Sequence, residues 1–529
     1  MTSDQLPTPE SPDETPRVPR GLTQRAIGGM LWTFSGTGVQ VLIQLLAIMA
    51  LGRLLTPAEF GLMGAATVII ACSQIVSQVG VGPAIIQRKD LTETHIRVAT
   101  TLSWMLGTVL GALVFFGAPL IAGFYRMPEL EPVLRAIAFL FPIDGMNTVA
   151  KAVLTRELRF RLYIAIDVAA YVFGYALFGV GLAWLGFGVW ALVSANLAQV
   201  GVRTVLMFFA SRHSLRPSLD RQAAKDLLGF GFGHSMAQIG TLLSQQGDNL
   251  VVGRWLGATA LGFYGRAYNL MVMPASAFGR IINRVLFPVM SQVQDERERL
   301  AGGYERALAI VAFISLPLST FLWVVAPEFI ALVLGPRWGG VVLPFRLFSI
   351  SLLFRMSSKI SDATTKAAGE VYMRALLQYA YAAAVVVGAI IGQQWGVGGV
   401  AVAVSLAMAF NWLSMARLGR VVTGLSWRRF LLAHVSPVVL TVVVGLAAAA
   451  AAHQARQLHL GTIPVLAVSG LAAALAAALV GRLRPALFLG PHGTWVVAQG
   501  LRLVRRGSRR RARAARGDEL AAAGEANVK

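Results

Sequence analysis

Long apolar runs alternate with short polar segments along most of the 529-residue chain. A helix rises 1.5 Å per residue, so about 20 apolar residues cross a hydrocarbon core of about 30 Å. Runs of this kind recur from Ala26 to near Val480 and predict fourteen transmembrane helices. Their approximate spans are 26–52, 60–86, 98–124, 133–152, 163–184, 187–210, 229–253, 260–290, 307–335, 341–366, 373–392, 396–416, 430–452 and 461–481.

Composition agrees with this pattern, because 56% of the residues are hydrophobic and only 14% are charged. A soluble domain needs a more polar surface, so the sequence predicts an all-α polytopic membrane protein. The single cysteine, Cys72, excludes a disulfide within one chain. Segment 1–24 begins acidic and Pro-rich with no cleavable signal pattern, and we expect a disordered cytoplasmic leader.

The net charge of +22 is distributed unevenly between the two sides of the membrane. When successive loops are assigned to alternate sides, one side receives 24 Lys and Arg residues and the other receives 8. The positive-inside rule makes the rich side cytoplasmic, which places both termini inside and requires an even number of helices. The basic tail within 483–529 is expected to lie on anionic lipid headgroups rather than bind nucleic acid.

An internal repeat relates two parts of the chain. The stretch VVGRWLGATALGFYGRAYNL (251–270) matches ALGRLLTPAEFGLMGAATVI (50–69) at an offset of 201 positions. The helix before each stretch carries polar residues spaced 4, 3 and 4 apart, namely Thr33, Thr37, Gln40 and Gln44 in the first and His234, Gln238, Thr241 and Gln245 in the second. This spacing puts each set on one helix face, and a polar face avoids lipid. We expect both stripes to line a water-filled cavity, with hydrogen bonding between helices as the alternative.

The repeat predicts two similar six-helix lobes, 25–210 and 229–421. A basic cytoplasmic linker, 211–228, joins them, and 422–482 adds two further transmembrane helices. Because six is even, both lobes begin on the same side, and their pseudo-two-fold axis lies along the membrane normal. Helices 1 and 7 then face each other across this axis.

Several kinds of chemistry have no motif in the sequence. The predicted outward loops are too short to form a catalytic domain, and the seven histidines lack metal-ligand spacing. No Walker-type phosphate loop is present. The sequence therefore predicts no enzyme, no cofactor and no metal.

The remaining candidates are cationic. Arg53 and Arg254 fall at the predicted outer ends of helices 1 and 7, and Arg25 falls at the inner mouth of helix 1. Helix 10 carries a charged stripe, which consists of Arg355, Lys359, Asp362 and Lys366. A solvated helix end would also explain this stripe. An excess of arginine favours an anionic ligand, because guanidinium groups match phosphate and carboxylate oxygens.

Two further charged residues have separate interpretations. Asp248 extends the polar stripe of helix 7, where it would orient an arginine or bind a proton or sodium ion, so it is the candidate for ion coupling. Arg266 aligns with Ala65 in the repeat and therefore lacks a cationic counterpart. We expect it to be an interfacial anchor beside Tyr264 and Tyr268.

Four sequence blocks carry a family resemblance: RLLTPAEFGLMGAATVI, GVGPAIIQRKDLT, GDNLVVGRWLGATALGFYGRAYNLM and INRVLFPVMSQVQDERERL. Together they resemble the polysaccharide-exporter flippases of the multidrug/oligosaccharidyl-lipid/polysaccharide (MOP) superfamily, in the branch of colanic acid and teichuronic acid exporters. The resemblance covers about residues 22–420. It implies alternating access between two lobes in the bacterial cytoplasmic membrane.

The resemblance also implies a substrate and partners. The substrate would be an undecaprenyl-pyrophosphate-linked oligosaccharide repeat unit for exopolysaccharide, O-antigen or capsule-type polysaccharide synthesis. Membrane lipids, a polysaccharide polymerase and chain-length or export proteins would be partners, and no nucleic acid. In the related flippase of the peptidoglycan precursor, arginines on the first helices are functional, and Arg25, Arg53 and Arg254 resemble these by position.

The substrate-binding candidates are thus Arg25, Arg53, Arg254, Gln40, Gln44, Gln238, Gln245, Arg355 and Lys359. One alternative function is a drug or metabolite antiporter of the same superfamily, for which the charge of the cavity is the deciding feature. The other is a membrane-embedded polysaccharide polymerase or glycosyltransferase, which would need large outward loops with paired acids.

Overall fold

The structure is a computed structural model that describes residues 42–77, 81–88, 90–211, 214, 216–483, 485–488 and 494. These residues form helices and connecting turns, with no strand among them. Among the described residues, eight helical spans are long and apolar enough to cross a membrane, and a bent pair, Pro336–Ile350 with Leu352–Ala367, gives a ninth. The prediction of an all-α polytopic membrane protein is confirmed, while the count of fourteen stays a prediction.

The helices follow one another through short connections. In chain order they are α1 (Leu42–Leu54), α2 (Pro57–Ser77), α3 (Val81–Gln87), α4 (Glu93–Tyr125), α5 (Leu130–Ile137), α6 (Leu140–Arg156), α7 (Phe160–Tyr171), a π-helix (Val172–Gly179), α8 (Val180–Trp184), α9 (Val189–Ser211), α10 (Arg221–Gln292), α11 (Arg297–Val324), α12 (Ala326–Val333), a 3-10 turn (Pro336–Val341), α13 (Val342–Ile350), α14 (Leu352–Ala367), α15 (Val371–Gly392), a 3-10 turn (Gln393–Trp395), α16 (Gly396–Thr423), α17 (Trp427–Gln457), α18 (Thr462–Leu483) and α19 (Pro485–Phe488).

Local sequence signals explain where the long helices begin and end. Thr92 caps α4, because its side chain accepts a hydrogen bond from the backbone N–H of His95. At the other end of α4, Arg126 adopts a left-handed conformation with φ 55°, which stops the helix. Ser426 caps α17 in the same way as Thr92 caps α4.

α10 spans Arg221 to Gln292 and consists of two helical parts joined at a kink. Gly257 has φ 86° and ψ 179° and breaks the helix between the predicted spans 229–253 and 260–290. Such a φ favours glycine, which lacks the Cβ that would clash. We call the part before Gly257 α10a and the part after it α10b.

The core is centred where α2 crosses α10b, and the contact is reciprocal. A Cβ at Gly61 would overlap the carbonyl oxygen of Ala258, and a Cβ at Gly262 would overlap the carbonyl oxygen of Pro57. Adding 201 to Pro57 and Gly61 gives Ala258 and Gly262. When residue i of the first copy contacts residue j of the second, and residue j of the first contacts residue i of the second, a two-fold axis relates the two copies. This crossing therefore has local two-fold geometry, and the division of the chain into two lobes stays a prediction.

Some predictions fall outside the described residues. They include those for Arg25, Gln40, the start of helix 1, the leader and the basic tail. The side chains of residues 228–239 are also not described, and these include His234 and Gln238.

Candidate functional site

A cavity of about 520 Å³ lies among α10a, α14, α15 and α16. Its charged lining consists of four cations and one carboxylate, namely Arg355, Lys359, Lys366, Arg374 and Asp362. Four positive charges against one negative charge leave an excess of three. Uncharged polar groups complete the lining, including Thr241, Ser244, Gln245, Gln378 and Asn411. We call this cavity the cationic pocket.

The spacing of charges in α14 explains how one helix supplies most of the cationic pocket. Arg355, Lys359, Asp362 and Lys366 follow one another at intervals of 4, 3 and 4 residues, so they share one face. The opposite face is buried, since Ile360 is 2% exposed and Ser357 and Thr364 are fully buried. Burial of that face directs the charged face toward the cavity.

Each cation of the pocket has a different environment. The Arg374 guanidinium donates from Nε and Nη2 to Oδ1 of Asp362, at 3.1 and 2.6 Å. The Arg355 guanidinium donates from Nη1 to the Tyr268 hydroxyl at 2.9 Å. Lys359 is exposed to the cavity, and within the described part of the chain no carboxylate lies within 4.0 Å of its ammonium group. A charge without such a partner is available to a ligand.

The polar stripe of α10a lies partly in this lining. Thr241 and Gln245 border the cationic pocket, and Ser244 accepts a hydrogen bond of 2.7 Å from the amide nitrogen of Gln378. Gln44, in the matching stripe of α1, is half-buried and does not contribute to this pocket.

Asp248 lies behind the pocket and is fully buried. The Tyr264 hydroxyl donates to its Oδ2 at 2.6 Å, and the backbone N–H of Asn249 donates to its Oδ1 at 2.8 Å. Tyr264 in turn stacks on Tyr268, which holds Arg355. The carboxylate therefore belongs to a buried chain of contacts that ends at a cation of the pocket.

Arg53 and Arg254 lie outside the cationic pocket, near the C-terminal ends of α1 and α10a. Arg53 is exposed and donates to the carbonyl oxygen of Leu332 at 3.1 Å. The Arg254 guanidinium lies over the rings of Phe124 and Trp255, with centroid distances of 5.4 and 5.8 Å. Each arginine thus contacts a helix end in the other part of the repeat.

Close backbone packing surrounds these two arginines. A Cβ at Gly52 would lie 3.2 Å from the Cα of Leu334, and a Cβ at Gly253 would lie 2.6 Å from Cε1 of Tyr125. The indole N–H of Trp338, which is fully buried, donates to the carbonyl oxygen of Gly52 at 2.7 Å. We call this set of contacts the outer closure, after the side of the membrane to which the charge distribution assigns it.

The expectation that Arg266 is an interfacial anchor is wrong. Its guanidinium carbon lies 4.5 Å from the centroid of Phe60, a residue of α2 that is 4% exposed. Tyr264 and Tyr268 are turned away from it toward Asp248 and Arg355. Arg266 therefore lies inside the molecule, at the crossing of α2 and α10b.

Sequence reasoning missed several polar residues that the fold brings together. Gln378 and Asn411 lie within predicted spans and line the cationic pocket, and Arg374 lies near the start of such a span. Two more carboxylates, Asp144 and Asp167, lie 3.0 and 3.6 Å from the guanidinium of Arg203 in the first half of the chain. An ionisable or amide side chain inside an apolar run was the available signal, since such groups avoid lipid.

The fold and the cationic pocket define a polytopic α-helical membrane protein with a charged internal site. The sequence family described as "Polysaccharide biosynthesis protein" matches residues 50–343, which is more than half of the chain. The chain therefore belongs to this family.

Individual relatives agree with the family. The chain is 28% identical over 421 residues to the lipopolysaccharide biosynthesis protein WzxC of Escherichia coli, with 78% of this chain and 84% of that protein covered. It is 28% identical over 342 residues to the teichuronic acid biosynthesis protein TuaB of Bacillus subtilis, with 63% and 70% covered.

Solved structures resemble the fold. The lipid II flippase MurJ in an inward closed conformation has a TM-score of 0.69 at 13% identity, with 86% of this chain and 99% of that chain covered. An inward-facing multidrug resistance transporter of the MATE family has a TM-score of 0.59 at 20% identity, with 73% and 94% covered. The chain shares the fold of the MOP superfamily.

Proposed function

We propose that the protein is a flippase that moves an undecaprenyl-pyrophosphate-linked oligosaccharide repeat unit across the bacterial cytoplasmic membrane. The product would feed exopolysaccharide, O-antigen or capsule-type polysaccharide synthesis. Membership of the polysaccharide biosynthesis family supports this function. The names of two relatives describe polysaccharide biosynthesis proteins, which supports the pathway. The name of a third, the succinoglycan biosynthesis transport protein ExoT of Rhizobium meliloti, supports transport. Translocation changes no covalent bond, so the protein is proposed to be a transporter and not an enzyme.

The observation that carries the proposal is the cationic pocket. A pyrophosphate is a compact anion whose oxygens accept the hydrogen bonds that guanidinium and ammonium groups donate. Lys359 is free to donate them, and Arg355 has donor groups beyond the one that Tyr268 accepts. The excess of three positive charges disfavours the cationic compounds that a drug antiporter would export.

Alternating access would give each end of the molecule a different role in transport. The cationic pocket borders Lys366 and Arg374, at the end that the positive-inside rule assigns to the cytoplasm. The outer closure lies at the other end, so this conformation would receive a headgroup from the inside. Opening of the outer closure would then free Arg53 and Arg254 to hold the headgroup before release.

The lobes that would move are residues 25–210 and 229–421. The crossing of Gly61 over Ala258 and of Gly262 over Pro57 lies on the proposed axis between them. Arg25, Gln40, Gln44 and Gln238 would extend the polar lining of the path. Both termini would be cytoplasmic, and the helices of 422–482 would pack outside the moving lobes.

The membrane potential assists this direction of transport. A potential that is negative inside contributes roughly 2.3 kcal/mol per charge per 100 mV to outward movement of an anion. Coupling to a cation gradient is therefore unnecessary on energetic grounds. If coupling exists, Asp248 remains the candidate, and export by an Asp248→Asn variant would then lose its dependence on sodium or pH.

The test uses purified protein in lipid vesicles with a fluorescent undecaprenyl-pyrophosphate disaccharide. An impermeant quencher reports the fraction of substrate in the outer leaflet over time. We expect the wild type to accelerate exchange between leaflets, and an Arg355→Gln, Lys359→Gln double variant to slow it about tenfold or more, since charged hydrogen bonds are lost. The control is Arg346→Gln, since the Arg346 guanidinium lies over the Trp323 ring, outside the pocket. Exchange no faster than in protein-free vesicles would refute the function.

A further inference from the structure

The helices that supply most of the cationic pocket have counterparts in the first half of the chain. α6 ends at Arg156 and α14 ends at Ala367, and adding 211 to the first number gives the second. The same offset relates the start of α7, Phe160, to the start of α15, Val371. α6 and α7 both pack against α9, as α14 and α15 both pack against α16. The first half therefore repeats the framework of the pocket.

One face of α6 is polar and has the spacing of the charged face of α14. Adding 211 to each of its members gives the four charged residues of α14, and these members are Asp144, Thr148, Lys151 and Thr155. A contact is repeated as well, since the Lys151 ammonium lies 6.0 Å from the centroid of the Tyr163 ring. Adding 211 to both numbers gives Asp362 and Arg374, which form an ion pair. The two faces thus share positions and contacts but differ in charge.

Three charged side chains meet on this framework. Nη2 of Arg203, on α9, donates to Oδ1 of Asp144 at 3.0 Å. Nη1 of the same guanidinium lies 3.6 Å from Oδ1 of Asp167, on α7. The three side chains are 21–23% exposed, so part of each remains accessible to a ligand. Charged groups within apolar helices avoid lipid, and partial exposure therefore places them beside a polar path.

Asn147 adds a buried acceptor beside these charges. It is 4% exposed, and its Nδ2 donates to Oδ1 of Asp144 at 3.5 Å, so the amide points toward the charged group. Its Oδ1 is buried and receives no hydrogen bond within the described part of the chain. A buried acceptor without a donor is unfavourable, so a ligand hydroxyl that enters beside Asp144 would gain a hydrogen bond there. This observation is independent of the charges.

The charges of this set favour a neutral ligand. The positive charges of Arg203 and Lys151 equal the negative charges of Asp144 and Asp167, whereas the cationic pocket has an excess of three positive charges. Carboxylate and amide oxygens accept hydrogen bonds from hydroxyl groups, and the guanidinium donates to them. A sugar carries many hydroxyl groups, each of which both donates and accepts, and an uncharged sugar matches this balance.

The cationic pocket leaves part of the proposed substrate without a site. Its volume of about 520 Å³ lies within the range of ordinary small-molecule sites, roughly 300–1,000 Å³, which suits a pyrophosphate and its first sugar. The further sugars of a repeat unit need polar groups elsewhere. Asp144 and Arg355 each lie about 18 Å from the end of their helix, because a helix rises 1.5 Å per residue. The first-half residues therefore lie at the same depth in their helices as the pocket does.

We propose that Asp144, Asn147, Asp167 and Arg203 form a saccharide site that binds the hydroxyl groups of an uncharged sugar. The pyrophosphate of the substrate occupies the cationic pocket, and a further sugar of the same repeat unit occupies the saccharide site. This assignment rests on the proposed function, since it concerns the sugars of that substrate. The local two-fold geometry where α2 crosses α10b supports it, because such an axis places counterpart sites on opposite sides of one path.

The test measures binding of uncharged sugars to full-length protein in lipid nanodiscs. Saturation-transfer NMR uses the methyl glycosides of glucose, galactose and mannose, which carry no phosphate. We expect at least one glycoside to bind, and Asp144→Ala to weaken it about tenfold, because a hydrogen bond to a charged group is lost. The control is Glu131→Ala, which removes a carboxylate paired with Arg135 at 2.8 Å. This variant should bind the glycoside as the wild type does.

Absence of binding of all three glycosides to the wild type would overturn the saccharide site, and so would binding that Asp144→Ala leaves unchanged. If Asp144→Ala does not fold, as judged by size-exclusion chromatography, Asp144→Asn replaces it and should weaken the glycoside by a smaller factor. A rise in thermal stability with sodium that Asp144→Asn abolishes, without glycoside binding, would identify a cation site instead.

Farnesyl pyrophosphate binding to the same samples tests the cationic pocket separately. A merely structural role of Asp144 would weaken this binding in Asp144→Ala together with glycoside binding, which would also overturn the saccharide site. If the wild type binds a glycoside but not farnesyl pyrophosphate, the proposed function is refuted and the saccharide site stands.

Discussion

The single carboxylate of the cationic pocket allows a prediction in which two substitutions act in opposite directions. Lys359→Gln removes a positive charge that has no carboxylate partner among the described residues. Asp362→Asn removes the one negative charge and releases the Arg374 guanidinium that it holds at 2.6 Å. We expect the first change to weaken pyrophosphate binding and the second to strengthen it.

The size of the effect follows from Coulomb's law in a partly solvated cavity. The Asp362 side chain is 38% exposed, so an effective dielectric constant of about 40, between protein and water, is appropriate. A unit charge about 6 Å from a phosphate charge then contributes about 1.4 kcal/mol, which is about tenfold in the dissociation constant. Loss of the partly exposed Arg374–Asp362 pair costs the fold only about 0.2–1 kcal/mol.

The measurement is isothermal titration of farnesyl pyrophosphate into protein in nanodiscs, for the wild type and both variants. Arg346→Gln removes a positive charge outside the pocket and should leave binding unchanged. A weaker affinity of Asp362→Asn, at unchanged thermal stability, would contradict the electrostatic reasoning. It would mean that Asp362 serves the site by fixing Arg374 rather than by its charge.

Three further outcomes follow from the geometry. Gly61→Ala should lower the free energy of unfolding by about 1–3 kcal/mol, because the added Cβ overlaps the Ala258 carbonyl. Gly265→Ala, whose Cβ would enter open space, should not lower it, and thermal unfolding in detergent compares the two variants. Tyr264→Phe should cost about 1–3 kcal/mol in the same assay, since it removes a donor from the buried carboxylate of Asp248. Farnesyl pyrophosphate binding should weaken as salt concentration rises, because salt screens the partly open pocket; titration at two salt concentrations that gave equal affinity would contradict this.

Helix positions could be predicted closely from the sequence where the signal is local. The span 98–124 corresponds to α4, from Glu93 to Tyr125, and the span 461–481 corresponds to α18, from Thr462 to Leu483. The break of α10 at Gly257 falls between the predicted spans 229–253 and 260–290, where the composition resembles a loop. Packing against α2 on one side and α14 and α15 on the other keeps both parts helical.

The candidate site was predicted in part. The stripe of α14 and Gln245 belong to one pocket, whereas Arg53 and Arg254 lie in the outer closure. The sequence does not distinguish these arginines from Arg374, since each is a cation near the end of an apolar run. Whether such a side chain meets a carbonyl, a ring or a cavity depends on the helix that packs beside it.

The sequence by itself determined the all-α membrane class, because this class depends on apolar length. The sidedness of the charge and the two-lobe repeat, which the sequence indicates through counts of Lys and Arg and through residue order, stay predictions. A membrane helix satisfies its own backbone hydrogen bonds, so its existence is a local property. Only the tertiary structure decided that Arg355, Arg374 and Gln245 meet in one cavity, and that Arg266 lies over the Phe60 ring inside the protein. These contacts depend on the rotation and crossing of helices that are distant in the chain, which side-chain packing sets.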